Sequence, residues 1–305
     1  MVNVAIAGGA GGTGGMGRAI VDVLQTSASH QAFVFSRKTS TSLANIISVD
    51  YSDIDVLVSV LEANNIHTII STLGITNTSL AVSQLNLIKA ATKSRVTKRF
   101  VRVALLFLTR TSQATELLPQ LRDYNKAITQ LRQSGLEWTI LHNGIFLDYF
   151  DSPALKSYLK PNVFVIDIAN KVAAIPGDGD SPVTFTYSFD LAKFVVASLD
   201  LDHWEEESRV LGDEMGWNEL VCSKFEIHYD NKEKLERFEI TELPGHKVLY
   251  ENFHKERFQW FMAIFELFTL DGTPRIEKAG SLNEKFPGIK PFGIRDLLDR
   301  YWRDT

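Results

Sequence analysis

The sequence predicts an α/β fold built on a doubly wound parallel sheet, with a smaller α/β lobe in the C-terminal half. Strand-like and helix-like segments alternate through the first half, a pattern typical of parallel strands with helices on both faces. The first strand, Val4–Ala7, runs into a glycine-rich turn at 8–17, and a helix-compatible segment, Arg18–Leu24, follows at once. This order is typical of a Rossmann-type βαβ unit that binds a dinucleotide.

The glycine-rich turn is the first candidate site. Glycines let the backbone turn tightly and approach a pyrophosphate, whose charge then lies at the helix N-terminus. Two motif registers fit, and both share Gly14 and Gly17 but begin at either Gly11 or Gly12. We expect the cofactor to contact the run Gly11, Gly12, Thr13, Gly14, Gly15, Met16 and Gly17. A glycine motif alone is weakly specific, and the strand before it and the helix after it strengthen the prediction.

The end of the second strand indicates which dinucleotide binds. Ala32–Phe35 reads as a strand, and Ser36, Arg37 and Lys38 follow directly, with no acidic residue between positions 31 and 43. NAD sites place a carboxylate here for the ribose hydroxyls, whereas NADP sites need cations for the 2′-phosphate. We therefore expect Arg37 and Lys38 to bind that phosphate and NADPH to be preferred. The alternative is an ordinary solvated basic turn.

The remaining segments of the first half place further residues at the same edge. Strands are predicted at Ile46–Asp50, His67–Thr72, Lys98–Val101 and Trp138–Leu141, and helices at Val56–Leu61, Leu80–Lys93 and Leu118–Gln133. Ligands of such sheets bind beyond the carboxyl ends of the strands. Four residues at those ends, Thr72, Leu73, Gly74 and Asn143, are therefore expected to join the glycine turn and Arg37 around the cofactor.

The pattern loosens after about residue 150. Short strands are predicted at Val163–Asp167, Val172–Ile175 and Val183–Tyr187, and helices at Phe189–Leu199, Phe253–Phe268 and Ile294–Tyr301. We predict an NADP-binding Rossmann domain at 1–150 and a smaller lobe at 151–305. The lobe is expected to be interwoven with the sheet and to cover the strand ends where a substrate binds.

Composition excludes several classes of protein. The 305 residues are 45% hydrophobic and 23% charged, which is typical of a globular protein. A net charge of -5 argues against nucleic-acid binding, which needs a basic face. The most apolar segments are far shorter than the ~20 residues that span a membrane. The one cysteine, Cys222, forms no internal disulfide, so we expect a cytoplasmic protein without nucleic-acid or membrane partners.

The chain resembles the NmrA-like and isoflavone reductase-like family, a group of atypical short-chain dehydrogenases and reductases, and its fungal members most of all. The resemblance rests on the glycine turn together with the segments Ser36–Lys38, Lys98–Val101, Leu136–Gly144, Ile175–Gly179, Thr184–Asp190 and Leu282–Pro287. It implies a Rossmann domain, NADPH as cofactor, and reduction of an aromatic or polyketide-like small molecule, as in secondary metabolism.

The catalytic group is not that of typical short-chain dehydrogenases, because no tyrosine in this chain is followed by lysine four residues later. The resemblance instead implies a catalytic lysine on the helix after the fifth strand, where Lys126 matches. A desolvated lysine beside the nicotinamide can transfer a proton or polarise a carbonyl. The alternative is a surface lysine on an amphipathic helix. Tyr124 and His142 are weaker candidates for the proton donor.

Two further features bear on function. Phe146, Tyr149 and Phe150 are predicted to line an apolar substrate pocket, although they could equally be plain core. The segment 102–108 stands where relatives carry a Pro-Ser-Glu-like turn that shapes the active site. Two alternatives to an enzyme therefore stay open: a dinucleotide-sensing regulator that binds a protein partner, and a degenerate enzyme kept for binding. A homodimer is also possible.

Overall fold

The computed structural model describes residues 2–8, 15–37, 45–74, 79–104, 116–118, 121–150, 155–221, 224–251, 253–270 and 272–301. Its strands are β1 (Val2–Ala7), β2 (His30–Ser36), β3 (Ile46–Ser48), β4 (Ile66–Ser71), β5 (Arg99–Ala104), β6 (Glu137–Asn143), β7 (Ile145–Phe146), β8 (Ile166–Asp167), β9 (Val172–Pro176), β10 (Val183–Thr186), β11 (Glu207–Val210), β12 (Asp213–Met215) and β13 (Glu226–Asp230).

The helices of the described residues are α1 (Met16–Thr26), α2 (Ile54–Ala63), α3 (Leu85–Lys93), α4 (Leu121–Arg132), α5 (Ser188–Ser198), α6 (Trp217–Leu220), α7 (Lys232–Glu236), α8 (His246–Leu249), α9 (Lys255–Leu270), α10 (Leu282–Lys285) and α11 (Ile294–Tyr301). A π-helical turn, Ser79–Gln84, precedes α3, and a 3₁₀ turn, Leu147–Phe150, follows β7. None of these helices is long and apolar enough to cross a membrane.

Seven strands form one parallel sheet in the order β3-β2-β1-β4-β5-β6-β11. This confirms the predicted doubly wound Rossmann-type sheet, whose strand order reverses between β1 and β4. The seventh strand, β11, was not predicted and comes from the second half of the chain. The predicted division at residue 150 therefore crosses this sheet, and the two-domain description stays a prediction.

Side chains of successive strand residues leave opposite faces of the sheet, so each face has its own apolar layer. Ile69 and Phe100 pack on the face that carries α2, α3 and α4, whereas Ile70 and Val101 pack on the face of α1 and α5. All four side chains are fully buried. Removing each of these side chains from water contributes about 1.5–3 kcal/mol to stability. Because such side chains lie on both faces of the sheet, helices must cover both faces.

The predicted helix at 80–93 has a different beginning in the structure. The regular helix α3 starts at Leu85, and the residues before it form the π-helical turn. Gln84, the last residue of that turn, is buried and accepts a hydrogen bond of 2.6 Å from the Ser71 hydroxyl. Apolar periodicity does not predict this turn, because the contact that accompanies it joins two different elements.

The C-terminal part adds two three-stranded sheets, β12-β10-β7 and β13-β9-β8. The strands predicted at 172–175 and 183–187 are confirmed, whereas only Ile166–Asp167 of the segment predicted at 163–167 is strand. Asp148 connects this part to the sheet layers. Its carboxylate accepts hydrogen bonds from the Ser188 amide (2.9 Å), the Ser188 hydroxyl (2.5 Å) and the Ser157 hydroxyl (2.6 Å). Asp148 therefore stabilises the start of α5.

Glu266 on α9 is fully buried, and burial raises its pKa well above the usual range; Asp230 adds to this effect and Lys234 opposes it. Because the folded-state pKa lies above the unfolded value, its contribution to stability is complete below about pH 4.5 and is lost as pH rises through the folded-state pKa. We expect Glu266→Gln to raise the free energy of unfolding at pH 8 by about 1–3 kcal/mol, and to change it little at pH 4.5. Urea unfolding at both pH values measures this.

The matched control for that measurement is Glu236→Gln, which removes an exposed carboxylate from α7. It is expected to shift the free energy of unfolding by less than about 0.5 kcal/mol at either pH. A Glu266→Gln protein that is less stable than the parent at pH 8 would show that the ionised carboxylate is stabilised by its surroundings.

Candidate cofactor and active site

The ends of β1 and β4 meet at the edge of the sheet. The Thr72 amide donates to the Ala7 carbonyl at 2.8 Å, and the Thr72 hydroxyl donates to the Gly8 carbonyl at 2.5 Å. Gly8 has a φ of +93°, and a Cβ on it would lie 2.8 Å from the Leu73 nitrogen. Only glycine fits both the conformation and the approach. Thr72 and Leu73 thus lie beside the start of the glycine-rich turn, and Gly74 follows them.

The far end of that turn forms the start of α1. Gly15, with a φ of +99°, is the N-cap residue and provides no side-chain cap, and the first turn carries no acidic residue. Met16 and Gly17 are buried in that first turn. Uncapped amides at a helix N-terminus bind anions. Of the predicted pyrophosphate residues, Gly11, Gly12, Thr13 and Gly14 lie outside the described residues.

A segment from the second half of the chain contacts this helix start. The Gly15 amide donates to the Tyr158 carbonyl at 2.7 Å, and the Tyr158 hydroxyl donates to Asp22 at 2.7 Å. Lys156 pairs with the same carboxylate at 2.7 Å, and these contacts lower the pKa of Asp22 against the opposing effect of burial. No local pattern in the sequence indicates these contacts, because Tyr158 and Asp22 are 136 residues apart.

Arg37 directly follows β2 at the same edge of the sheet. Its side chain is exposed and makes no hydrogen bond or ion pair with the described residues. It lies close enough to Tyr51 for its charge to lower the pKa of that hydroxyl, although burial of Tyr51 outweighs this and raises the pKa. A guanidinium in this position is available to a phosphate. Lys38 lies outside the described residues.

Asn143 ends β6 and is buried. Its Nδ2 donates to the Gly144 carbonyl at 2.9 Å, and its Oδ1 has no partner among the residues that the structure describes. The neighbouring backbone is closely packed, because a Cβ on Gly144 would lie 1.8 Å from the Thr184 oxygen. A buried acceptor without a donor is rare in a native protein, and a donor from water or from a bound ligand would satisfy it.

Lys126 lies on the polar face of α4. Its Nζ is 2.8 Å from Asp123 Oδ1, and its side chain is 66% exposed. The pair lies on the solvent side of an amphipathic helix, so a proton-donating role requires that the bound cofactor and substrate desolvate this lysine. Its catalytic role stays a prediction.

The predicted substrate residues are mostly core. Phe146 is 1% exposed and makes an edge contact with Tyr149, with ring centroids 5.8 Å apart. Phe150 is also buried and lies 5.8 Å from the Phe185 ring. Their apolar spacing is explained by packing between the sheets. Tyr149, which is half-buried, is the better candidate of the three for a pocket wall.

The two alternative proton donors are both buried. His142 on β6 has its Nε2 3.7 Å from a carboxylate oxygen of Glu207. Tyr124, in the first turn of α4, lies under the guanidinium of Arg102, whose Cζ is 4.7 Å from the ring centroid. Arg102 is 1% exposed. No motif predicts this arginine as a functional residue, and the one signal for it in the sequence is a charge within an otherwise apolar part of the strand.

The site has counterparts in known proteins. A family model described as NAD(P)H-binding matches residues 11–161. Oxidoreductase BOA1 of Botryotinia fuckeliana (strain B05.10) is 34% identical over 300 residues, which cover 95% of this chain and 96% of that protein. The chain belongs to the isoflavone reductase-like family of NAD(P)H-binding oxidoreductases.

Solved structures of the same fold can be superposed on nearly the whole chain of this oxidoreductase. Leucoanthocyanidin reductase from Vitis vinifera, in a binary complex with NADPH, is similar at a TM-score of 0.72 and 16% identity, with 98% of this chain and 99% of that chain covered. AtPrR2 with NADP+ and (+)pinoresinol is similar at a TM-score of 0.70 and 16% identity, with 97% of each chain covered. At these identities the likeness shows the fold.

The described residues fit a dinucleotide. The uncapped start of α1 suits a pyrophosphate, and Gly8, at the beginning of the turn, has no room for a side chain of its own. The Asn143 Oδ1 lacks the donor that a nicotinamide carboxamide carries. NAD(P)H binding is therefore consistent with both the family and the geometry.

Proposed function

We propose that the protein is an NADPH-dependent reductase of a hydrophobic small molecule, aromatic or polyketide-like. The observation that carries the cofactor preference is Arg37, which is exposed and unengaged among the described residues at the end of β2. No carboxylate stands there to bind the ribose hydroxyls of NADH. An exposed guanidinium provides the charge and the planar donors that a 2′-phosphate needs.

We assign a role to each group of residues at the carboxyl ends of the parallel strands. Arg37 and Lys38 bind the 2′-phosphate, and the turn from Gly11 to Gly17 binds the pyrophosphate. Thr72, Leu73 and Gly74 support the turn from the neighbouring strand, and Asn143 orients the nicotinamide through its Oδ1. NADPH, when bound, supplies a hydride. Lys126 is proposed to hold the proton that completes the reduction.

The substrate class is supported by two kinds of observation. One of the two solved structures of the same fold is a reductase named for leucoanthocyanidin, and the other contains bound pinoresinol. Both compounds are aromatic. In this chain, the half-buried Tyr149 lies next to Phe146 and Phe164, so an aromatic surface is close to the end of β6. Aromatic rings stack favourably on such surfaces.

The test combines binding with turnover. The protein is titrated with NADPH and NADH, and the NADPH complex is then screened against quinones, enones and isoflavone-like compounds for loss of absorbance at 340 nm. Tight, selective NADPH binding with turnover of at least one aromatic carbonyl or enone supports the proposal. Equal affinity for the two dinucleotides would remove the basis for the NADPH preference.

The second candidate is a dinucleotide-sensing regulator that binds a protein partner. It is favoured by the exposed Lys126–Asp123 pair and by the apolar segment 102–108 in place of the turn found in relatives. Tight NADPH binding without turnover of any compound in the screen would favour this candidate over the reductase.

Asn143→Leu tests the role of the buried amide. We expect it to weaken NADPH binding about 10-fold, because the ligand loses one buried hydrogen bond of about 1.5 kcal/mol. The matched control is Thr139→Val, on the same strand and the same face, which removes a hydrogen bond to Ser208 remote from the strand end. Isothermal titration calorimetry measures both. Equal effects of the two variants would show that Asn143 acts through stability alone.

A further inference from the structure

A group of buried polar side chains lies just below the proposed active-site edge, on the face of the sheet that carries α3 and α4. We call Ser71, Gln84, Arg102 and Tyr124 the polar cluster. Ser71 is the last residue of β4, and it is the register partner of Arg102 on β5, so both side chains leave the same face. Gln84 reaches this position from the π-helical turn and is bonded to Ser71. Tyr124 comes from the first turn of α4.

The cluster holds a positive charge that no carboxylate of the described residues neutralises. Arg102 is buried, and its Nε and Nη1 have no partner among the described residues. No described carboxylate pairs with it, and Tyr124 is the only group that offsets the effect of burial on its pKa. Although burial lowers that pKa, arginine starts so high that the guanidinium stays charged near neutral pH.

The unpartnered groups share one chemistry. Besides the two arginine nitrogens, the Gln84 Nε2 is buried and has no partner in the described part of the chain. All three are donors, and no unpartnered acceptor of Ser71 or Tyr124 accompanies them. A buried charge and buried donors are strongly unfavourable unless a partner satisfies them. A negatively charged acceptor would satisfy all three donors and also neutralise the guanidinium.

A single guanidinium matches a singly charged group. A phosphate carries up to two charges near neutral pH and is usually held by several cations, whereas the cluster has a single guanidinium. A carboxylate has one charge and two acceptor oxygens, which suit arginine and amide donors.

We propose that the polar cluster binds a carboxylate of the substrate, so that the small molecule reduced by this enzyme is an organic acid. The inference rests on the proposed function, because it names the substrate class of the same site. Arg102 provides the charge, Gln84 adds a third donor, and Ser71 holds the Gln84 amide in place through its 2.6 Å hydrogen bond. Arg102 thereby determines specificity, since a neutral analogue would leave the guanidinium unpaired.

The stability of the ligand-free protein gives a first test. Arg102→Met keeps the length of the side chain and removes the charge, so we expect the melting temperature (Tm) to rise. The matched control is Arg99→Met on the same strand, which removes an arginine paired with Glu137 and is expected to lower the Tm. A fall in Tm for Arg102→Met as well would overturn the proposal, because it would show that the charge is satisfied within the protein.

The second test uses benzoate as the carboxylate probe, benzamide as its neutral isostere and chloride as a simple anion. We expect benzoate to bind the NADPH-loaded protein about 10- to 100-fold more tightly than benzamide, the range of a charged hydrogen bond. Arg102→Met should abolish that difference. Equal binding of benzoate and benzamide, or an equal response to chloride, would overturn the assignment.

Gln84→Glu is a complementary variant in which the protein itself supplies a carboxylate to the polar cluster. The new carboxylate is isosteric with the amide and lies in the same cluster, so it should pair with Arg102, raise the Tm and abolish the benzoate response. A normal benzoate response in Gln84→Glu would contradict the proposal. NADPH affinity is measured for every variant and is expected to stay within about 2-fold of the parent, since the phosphates are bound elsewhere.

The two proposals fail in different ways. Absence of NADPH binding by the parent protein would contradict the proposed function, whereas the benzoate titration can be repeated without NADPH and still reports on the cluster. NADPH binding with no carboxylate preference would contradict only the present inference.

Discussion

Replacing Lys126 with alanine is expected to lower turnover by about 10²–10⁴-fold, the usual range for loss of a general acid. The residue lies in the first half of α4, the helix that follows the strand ending at the proposed active-site edge. NADPH affinity should barely change, because the residues proposed to bind the phosphates lie on other elements. Steady-state kinetics on a substrate from the turnover screen, together with NADPH titration, measures both quantities.

Two further variants make this result interpretable. Lys126→Arg should not restore activity, since a guanidinium does not release its proton near neutral pH. Lys93→Ala is the matched control, because Lys93 is also an exposed lysine, 59% accessible, in an ion pair with an aspartate. It lies at the opposite end of its helix from the proposed site, and its loss should leave turnover unchanged. Unaltered turnover in Lys126→Ala would shift the assignment to Tyr124 or His142.

Replacing Arg37 with alanine is expected to weaken NADPH binding by about 10- to 100-fold while leaving NADH binding nearly unchanged. The reason is the loss of charged hydrogen bonds to the 2′-phosphate, worth about 1.5–3 kcal/mol. NADH lacks this phosphate, so the ratio of the two dissociation constants isolates the contribution of Arg37. Fluorescence titration of both dinucleotides measures it.

Arg95→Ala is the matched control for the cofactor preference. Arg95 is an exposed arginine that pairs with Glu62 beyond the C-terminal end of α3, and its removal should alter neither dissociation constant. Salt provides a second check, because the preference for NADPH should weaken as ionic strength rises. A parallel loss of NADPH and NADH affinity in Arg37→Ala would indicate a distorted strand end rather than a lost phosphate contact.

The local patterns of the sequence were sufficient to predict most strands of the parallel sheet. Alternation of apolar strands with amphipathic helices predicted six of its seven strands, because each pattern is repeated within ten or so residues. The glycine-rich turn and Arg37 could be placed at one edge for a similar reason. In a parallel sheet every strand ends on the same side, so the residue after each strand is located by the strand alone.

Local sequence patterns predicted neither the strand β11 nor the exposure of the Lys126 side chain. Glu207–Val210 is too short and too polar to be recognised, and it is a strand because β6 offers it an open edge. Lys126 occupies the position that the family resemblance indicates, but its exposure depends on which face of α4 packs on the sheet. The buried face, which includes Leu121, Tyr124 and Ala127, turns Lys126 towards solvent.

The sequence by itself therefore determined the fold class and the positions of the glycine-rich turn after β1 and of Arg37 after β2, because these features are encoded by neighbouring residues. Only the tertiary structure decided which polar side chains share a buried site. Arg102, Gln84 and Ser71 belong to three separate elements, and Tyr158 reaches Gly15 from the second half of the chain. Such contacts follow from the packing of distant segments, in which the burial of a charge depends on every element around it.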